Sequence, residues 1–212
     1  MNDSYFHIAT IPGDGIGKDI INSAISIVNL SSEIIGGFKC EWESIKAGAE
    51  YYSLTGKDVE PGGEKKIEEL DSIFLGAIGL PTIRYKDGTE ICPHLRFREV
   101  FGLYAGVRPV KAYKNIPNRL SNELSSKIDL VILRESTEGL FYTAAVHDRC
   151  PVENDEEVQD IMRITRANTE KLHDYAFKLA GQRKKKGKLG KVTCVDKANV
   201  FKSQAFFRKI FD

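Results

Sequence analysis

Cysteine is scarce in this chain and never paired. The four thiols among 212 residues, Cys40, Cys92, Cys150 and Cys194, lie far apart, with no C-x-x-C. That argues against a disulfide frame and a structural zinc site, and predicts free thiols in a reducing compartment. Long apolar runs are missing too: none approaches the roughly eighteen residues of a membrane span. The opening M-N-D-S-Y-F-H has no basic stretch followed by an apolar one, so no secretory leader is expected. Charge of one sign is not in excess. The 31 basic and 30 acidic side chains leave a net +1, with no call for nucleic acid or a membrane surface as partner. The histidines His7, His94, His147 and His173 show neither H-x-x-x-H nor H-E-x-x-H spacing, His147 and Asp148 reading as loop. A G-x-S-x-G elbow is absent, which leaves a hydrolase poorly supported. No internal repeat or low-complexity segment is visible. What is present, 42% hydrophobic and 29% charged, suits a cytoplasmic protein with one large or two small cores.

Glycine is where the chain first becomes specific. In I-A-T-I-P-G-D-G-I-G-K-D-I, Gly13, Gly15 and Gly17 follow an apolar run and lead into a helical pattern. A P-loop would need glycine at Pro12 and Ser or Thr at Asp19. The dinucleotide fingerprint G-x-G-x-x-G would need its third glycine one residue later. Both phosphate cradles fail on spacing. A tight strand-to-helix turn, using glycine for its positive φ, accounts for the residues alone.

The rest of the first half alternates strand and helix. Residues 5–11 predict a buried strand, 18–30 a helix on Ile21, Ala24, Ile25 and Val28, and 38–45 a second strand. Pro61 opens a short polar helix to Leu70. Residues 72–78 form a third strand before an exposed Pro- and Asp-Gly-containing loop. This is the α/β pattern. Beyond it, 103–110 and 129–133 predict strands, and 139–146, β-branched and aromatic, a hairpin or arm. Residues 156–183 predict the longest helix, with Ile161, Ile164, Asn168, Leu172, Tyr175 and Leu179 on one face. The run R-K-K-K-G-K reads as its solvated end. Residues 191–196 predict a strand and 199–211 a final helix.

Basic residues at strand and loop ends carry the chemistry. Arg96 and Arg98 lie in L-R-F-R, Arg108 in G-V-R-P, and Arg134 directly after V-I-L. Ligands of open α/β folds collect at strand ends, and a guanidinium there can clamp a carboxylate or phosphate through parallel hydrogen bonds. A structural ion pair is the plainer role for any single one. In V-D-K-A-N-V, Lys197 at a strand end suits a buried base or a surface lysine, and Asn199 a helix N-cap.

In chain order, I-P-G-D-G-I-G, L-R-F-R-E-V-F-G-L-Y-A-G-V-R-P, L-R-E-S-T-E-G-L-F-Y and V-D-K-A-N-V resemble the isocitrate/isopropylmalate dehydrogenase family, with its homoisocitrate, tartrate and D-malate members. The resemblance implies an α/β, isopropylmalate dehydrogenase-like two-domain fold, N-terminal portion only. Residues 1–104 would be the first part of the large domain and 105–212 part of the small dimerisation and substrate domain. The implied chemistry is oxidative decarboxylation of a malate-like 2-hydroxy acid, with NAD or NADP as hydride acceptor and Mg2+ or Mn2+ on the hydroxyl and its neighbouring carboxylate. Arg98, Arg108 and Arg134 match the family's clamp on substrate carboxylates, and Lys197 its base. Asn199 matches a residue near the nicotinamide, and Ile16 one at the dinucleotide edge, in a turn that is not itself a pyrophosphate cradle. His94, with Cys92 and Leu95, occupies the selectivity segment, whose L-R-F-R leans toward the tartrate/D-malate branch. The family's lysine reaches a neighbouring subunit's site, which implies a homodimer with shared active sites.

Two departures stand out. The family's tyrosine seven residues after the arginine of R-E is Phe141 here, with Tyr142 next. In an extended segment, one residue of shift reverses the face, so Tyr142 would need a bulge to serve as the acid. The family's metal-binding aspartates and most nucleotide-binding loops also lie beyond the region matched by these residues. The 212 residues alone are therefore expected to be inactive, and a non-catalytic, polycarboxylate-binding relative is the alternative.

Overall fold

The computed structural model describes residues 3–113, 115–116, 120, 123–146 and 149–212, which leaves His147 and Asp148 outside. The chain forms two compact units, Met1–Phe97 and Arg98–Asp212.

The first unit is built on a parallel sheet of order β2-β1-β3, from β1 (Ser4–Gly13), β2 (Phe38–Ser44) and β3 (Ser72–Ala77). Parallel neighbours require a crossover. Helix α1 (Gly17–Ile35) supplies it between β1 and β2 and packs on β1 and β3. The central strand buries Ala9, Thr10 and Ile11 in succession, as a strand covered on both faces does. Ile21 of α1, Ile45 and Ala47 after β2, and Ile91 join the core. Two short helices, α2 (Ala49–Thr55) and α3 (Gly63–Glu68), complete the layer, and α4 (Pro93–Val100) follows. The chain passes very close to itself at the first turn. A Cβ on Gly13 would lie 2.0 Å from the Ala77 carbonyl oxygen, and one on Gly17 2.2 Å from that of Pro12. Glycine there is a steric requirement of the β1–β3 approach.

The second unit holds an antiparallel ribbon, β4 (Ala105–Lys111) with β5 (Asp129–Glu135), in which Arg108 opposes Ile132 and Gly106 opposes Arg134. A helical turn, α5 (Phe141–Ala144), precedes two longer helices, α6 (Arg166–Lys185) and α7 (Lys202–Phe211). Helix α6 packs on β5 and on α7. Its basic end is anchored by Asp129, which accepts from Arg183 at 2.7 Å and pairs with Lys188 at 2.6 Å. Lys188 first, then Arg183, holds the Asp129 carboxyl down at about 2.

Five sequence expectations give way here. Residues 139–146 form the α5 turn instead of a hairpin or arm; Gly139 alone bridges, to Arg163. Helix α6 begins ten residues later than the pattern predicts, because Thr165 caps it and residues 156–165 are irregular. The buried face of α6 is Thr169, Leu172 and His173. Residues 191–196 have no regular secondary structure and pair with no strand among the described residues. Asn199 lies in a turn and caps nothing: α7 starts at Lys202, with Phe201 at the cap position.

Candidate functional site

The glycine turn presents its own acid, Asp14, to the interior. Asp14, 2% exposed, accepts the N–H groups of Ala49 at 2.9 Å, Glu50 at 2.8 Å and Gly79 at 2.7 Å. It thereby caps α2 from a distant loop. Gly48 leaves the room: a Cβ there would sit 2.6 Å from the Asp14 carboxylate. Gly15 N–H donates to Glu50, which also pairs with Lys18. Of the turn's donors, the Gly15 N–H is thus spent on the chain's own carboxylate, and those of Asp14 and Gly17 on the carbonyls of Ala77 and Asp14. Ile16 projects outward, 66% exposed.

Helix α4 carries His94, half-buried, and the two arginines of L-R-F-R. These arginines part company. Arg96 grips Asp58 at 2.9 and 3.2 Å and Glu64 at 2.7 Å, and Tyr85 also donates to Asp58 at 2.7 Å. Burial pushes the Asp58 carboxyl up, but its hydrogen bonds from Arg96 and Tyr85 outweigh it and hold it below the usual range. Arg96 is a structural ion pair.

Arg98 behaves differently. Its guanidinium carbon lies 5.6 Å from the centre of the Phe141 ring, and that of Arg134 lies 5.3 Å from the same ring. Two cations meet on one aromatic side chain, whose electron-rich face attracts each. The Arg134 Nε is buried with no hydrogen-bond partner, and no acidic side chain pairs with Arg134 among the described residues. Strand register brings Arg108 to the same ribbon face. Gly106 opposite Arg134, and Arg108 two residues along, make the two arginines diagonal neighbours, about 7–8 Å apart at the backbone. Gly106 has no side chain to crowd this ladder; a Cβ there would lie 3.0 Å from the Ser136 hydroxyl and 3.3 Å from the Arg134 carbonyl oxygen. Arg108 itself is exposed.

The segment after Arg134 is fastened by its own carboxylates. Glu135 accepts from Thr137 and from the Glu138 N–H at 2.7 Å; Glu138 accepts the Thr165 N–H at 2.8 Å and its hydroxyl at 2.6 Å. Asn168 donates to Thr137 at 3.3 Å. These acids position the R-E-S-T-E turn on the first turn of α6, where a carboxylate suits the helix dipole.

Because 141–144 is helical, Tyr142 does not point opposite Phe141 as in a strand; it is rotated by about 100°. Its ring lies between Arg149, at 4.4 Å, and Arg163, at 4.7 Å. Phe141, without a hydroxyl, is the side chain that faces Arg98 and Arg134. Tyr142 lines a cavity of about 290 Å³ with Glu99, Tyr104, Arg163, Asn168 and Lys171. Glu99 is neutralised by a two-pronged bridge to Arg149, at 2.6 and 2.9 Å.

Lys197 is exposed on a turn, so the burial that a strand-end base requires is absent. Its neighbour Asp196 has a nearly buried side chain, held by Arg208 of α7 at 2.7 Å and by the Ala198 N–H at 2.8 Å. Asn199 is exposed beside it. Among the described residues no group of three or more His, Cys, Asp or Glu side chains could hold a metal ion. Sequence reasoning brought Arg98, Arg108 and Arg134 forward; it missed Phe141 as the common surface of Arg98 and Arg134, and Arg163, Asn168 and Lys171 as cavity walls. Nothing local marks those three, since the Gly139–Arg163 bridge and the late start of α6 put them there.

The sequence model described as isocitrate/isopropylmalate dehydrogenase matches residues 7–212. A 3-isopropylmalate/3-methylmalate dehydrogenase of Methanocaldococcus jannaschii is 35% identical over 206 residues, covering 96% of this chain and 55% of its own. A decarboxylating D-malate dehydrogenase of Escherichia coli is 31% identical over 180 residues, 84% of this chain and 49% of its own. The crystal structure of isocitrate dehydrogenase from Methylococcus capsulatus superimposes with a TM-score of 0.75 at 28% identity, over 97% of this chain and 56% of its own. A β-decarboxylating dehydrogenase from Thermococcus kodakarensis gives 0.65 at 26% identity. The chain spans about half the length of the relatives it matches. An α/β unit with a parallel sheet, a shared run of 206 residues and a matching solved fold lead to one conclusion: this chain belongs to the isocitrate/isopropylmalate dehydrogenase family.

Proposed function

We propose that the chain supplies the substrate-binding half of a metal- and NAD(P)-dependent enzyme that oxidises and decarboxylates a malate-like 2-hydroxy acid. The observation that carries the reading is the meeting of Arg98 and Arg134 on Phe141, with Arg108 on the same ribbon face as Arg134. Guanidinium groups placed so bind a carboxylate in a fixed orientation and offset charge that would otherwise repel the acid. Lys197, exposed and held at its turn by the Asp196–Arg208 pair, is then the base that takes the hydroxyl proton, offered to a partner subunit's site in a homodimer. When bound, NAD or NADP accepts the hydride and Mg2+ or Mn2+ polarises the hydroxyl; the described residues form no metal cage of their own. Ile16 and Asn199 are the side chains offered to the dinucleotide, and His94 the one offered to the variable substituent of the acid. Residues 1–104 belong to the large domain and 105–212 to the small one, in a cytoplasmic protein.

The test is calorimetric titration of the purified chain with D-malate. Saturable binding that weakens about tenfold or more in Arg134→Gln is expected, the loss of one charge-assisted contact. Equal affinity of the two proteins would sink the reading. A second reading, a non-catalytic relative that binds a polycarboxylate, is favoured by one feature: a phenyl ring and not a phenol faces the arginines. Metal-independent citrate binding with no NAD(P)H formation by the protein from its native source would support it.

A further inference from the structure

We infer that the cavity beside Tyr142 is a second anion site, for a small dicarboxylate or phosphate, separate from the arginine pair on Phe141. Its walls hold two cations with no acidic partner among the described residues. Arg163 stacks on Tyr142 and forms no ion pair, and Lys171, on α6 one turn after Asn168, forms none. The acids present are already engaged. Glu99 is bridged on both oxygens by Arg149, and both oxygens of Glu138 accept from Thr165 at the start of α6. Thr165 holds Glu138 without neutralising it; with Arg149 counted beside Tyr142, three cations meet two carboxylates, and one positive charge is left over at the open volume. Tyr104, Tyr142 and Asn168 complete the polar lining, the Asn168 amide being oriented by its hydrogen bond to Thr137.

The volume, about 290 Å³, suits a ligand of malonate or phosphate size with its water. Arg163 is aimed by two devices. Its backbone exchanges hydrogen bonds with Gly139 at 2.7 and 3.3 Å, and its guanidinium rests on the phenol ring. A planar fork held in that way gives direction as well as charge, and Lys171 adds a movable ammonium. Arg163 stacks on Tyr142, whereas Arg98 and Arg134 stack on Phe141, so the two sites can be emptied one at a time.

The experiment is calorimetric titration of the intact chain with malonate and, separately, with inorganic phosphate. Four proteins are compared: wild type, Arg163→Gln, Lys171→Gln and Arg134→Gln. Arg163 and Lys171 are both exposed, so their exchange leaves the buried core intact. Binding in wild type that weakens about tenfold in Arg163→Gln and in Lys171→Gln, and persists in Arg134→Gln, supports the site. A response to malonate alone identifies a dicarboxylate pocket, and one to phosphate alone a phosphate pocket. Binding lost only in Arg134→Gln, or no saturable binding of either anion, overturns the inference. The Arg134 variant separates this outcome from failure of the substrate clamp, which has its own titration with D-malate.

Discussion

Asp14 shows how far one residue's role can lie from its local motif. Its carboxylate takes three backbone N–H groups, from Ala49, Glu50 and Gly79, with 2% of the residue exposed. Removing it would leave those donors without their acceptor, two of them at the start of α2. Asp14→Ala is expected to lose about 3 kcal/mol of stability by urea denaturation, with Asp14→Asn recovering part of it. A loss below about 1 kcal/mol would mean that water replaces the carboxylate at little cost. The sequence made the turn itself legible, because glycine spacing failed both phosphate cradles. It could not display the cap, because the groups that Asp14 satisfies lie more than thirty residues away. The arginines are a similar case. Four guanidiniums looked alike in sequence, and only packing assigns Arg96 to Asp58 and Glu64 and leaves Arg98 and Arg134 on Phe141.

At the scale of elements, the α6–α7 pair carries a titratable weak point. His173 is buried, with both ring nitrogens lacking a hydrogen-bond partner, and meets Phe207 at 4.6 Å and Phe211 at 5.3 Å edge to face. Burial lowers its affinity for a proton below the usual 6.5, and Asp174 offsets this only in part. The folded state thus holds His173 neutral while the unfolded chain protonates it. Its contribution to stability is full above about pH 6.5 and declines as pH falls through that value toward the lower folded one. The melting temperature should drop between about pH 7.5 and pH 5.5, and drop less in His173→Leu. Identical pH dependence in the variant would place the titration elsewhere. Elements were legible wherever the period was local: β1, α1, β2, β3, β4 and β5 lie close to where alternation and helical spacing put them. They were illegible where tertiary clamps decide. Helix α2 is capped by a remote aspartate, α6 starts where Glu138 meets Thr165, and the aromatic 141–144 segment coils although its composition favours a strand.

Over the whole molecule, apolar burial is unevenly shared. The first unit buries Ile11, Ile21, Ile45, Ile67, Ile91 and Phe97; in the second, Leu172 is the one buried apolar side chain among the described residues. Its remaining buried groups include Ser136, Thr137, Glu138 and Thr169, held by hydrogen bonds that contribute less per group than apolar contact. Local opening should therefore cost less there. Native-state hydrogen exchange is expected to be slowest in β1, flanked by β2 and β3, and faster by about a hundredfold in β4 and β5. Uniform protection across both units would contradict this. The antiparallel register has a further consequence, for descent with insertion and deletion. Residues between Lys111 and Asp129 can be gained or lost while the ladder keeps Gly106 against Arg134. One residue gained inside β5 inverts its alternation and turns Arg134 away from Arg108. Lineages of this chain can drift in the length of the connection, and a single codon inserted a few positions later would dismantle the face that Arg108 and Arg134 share.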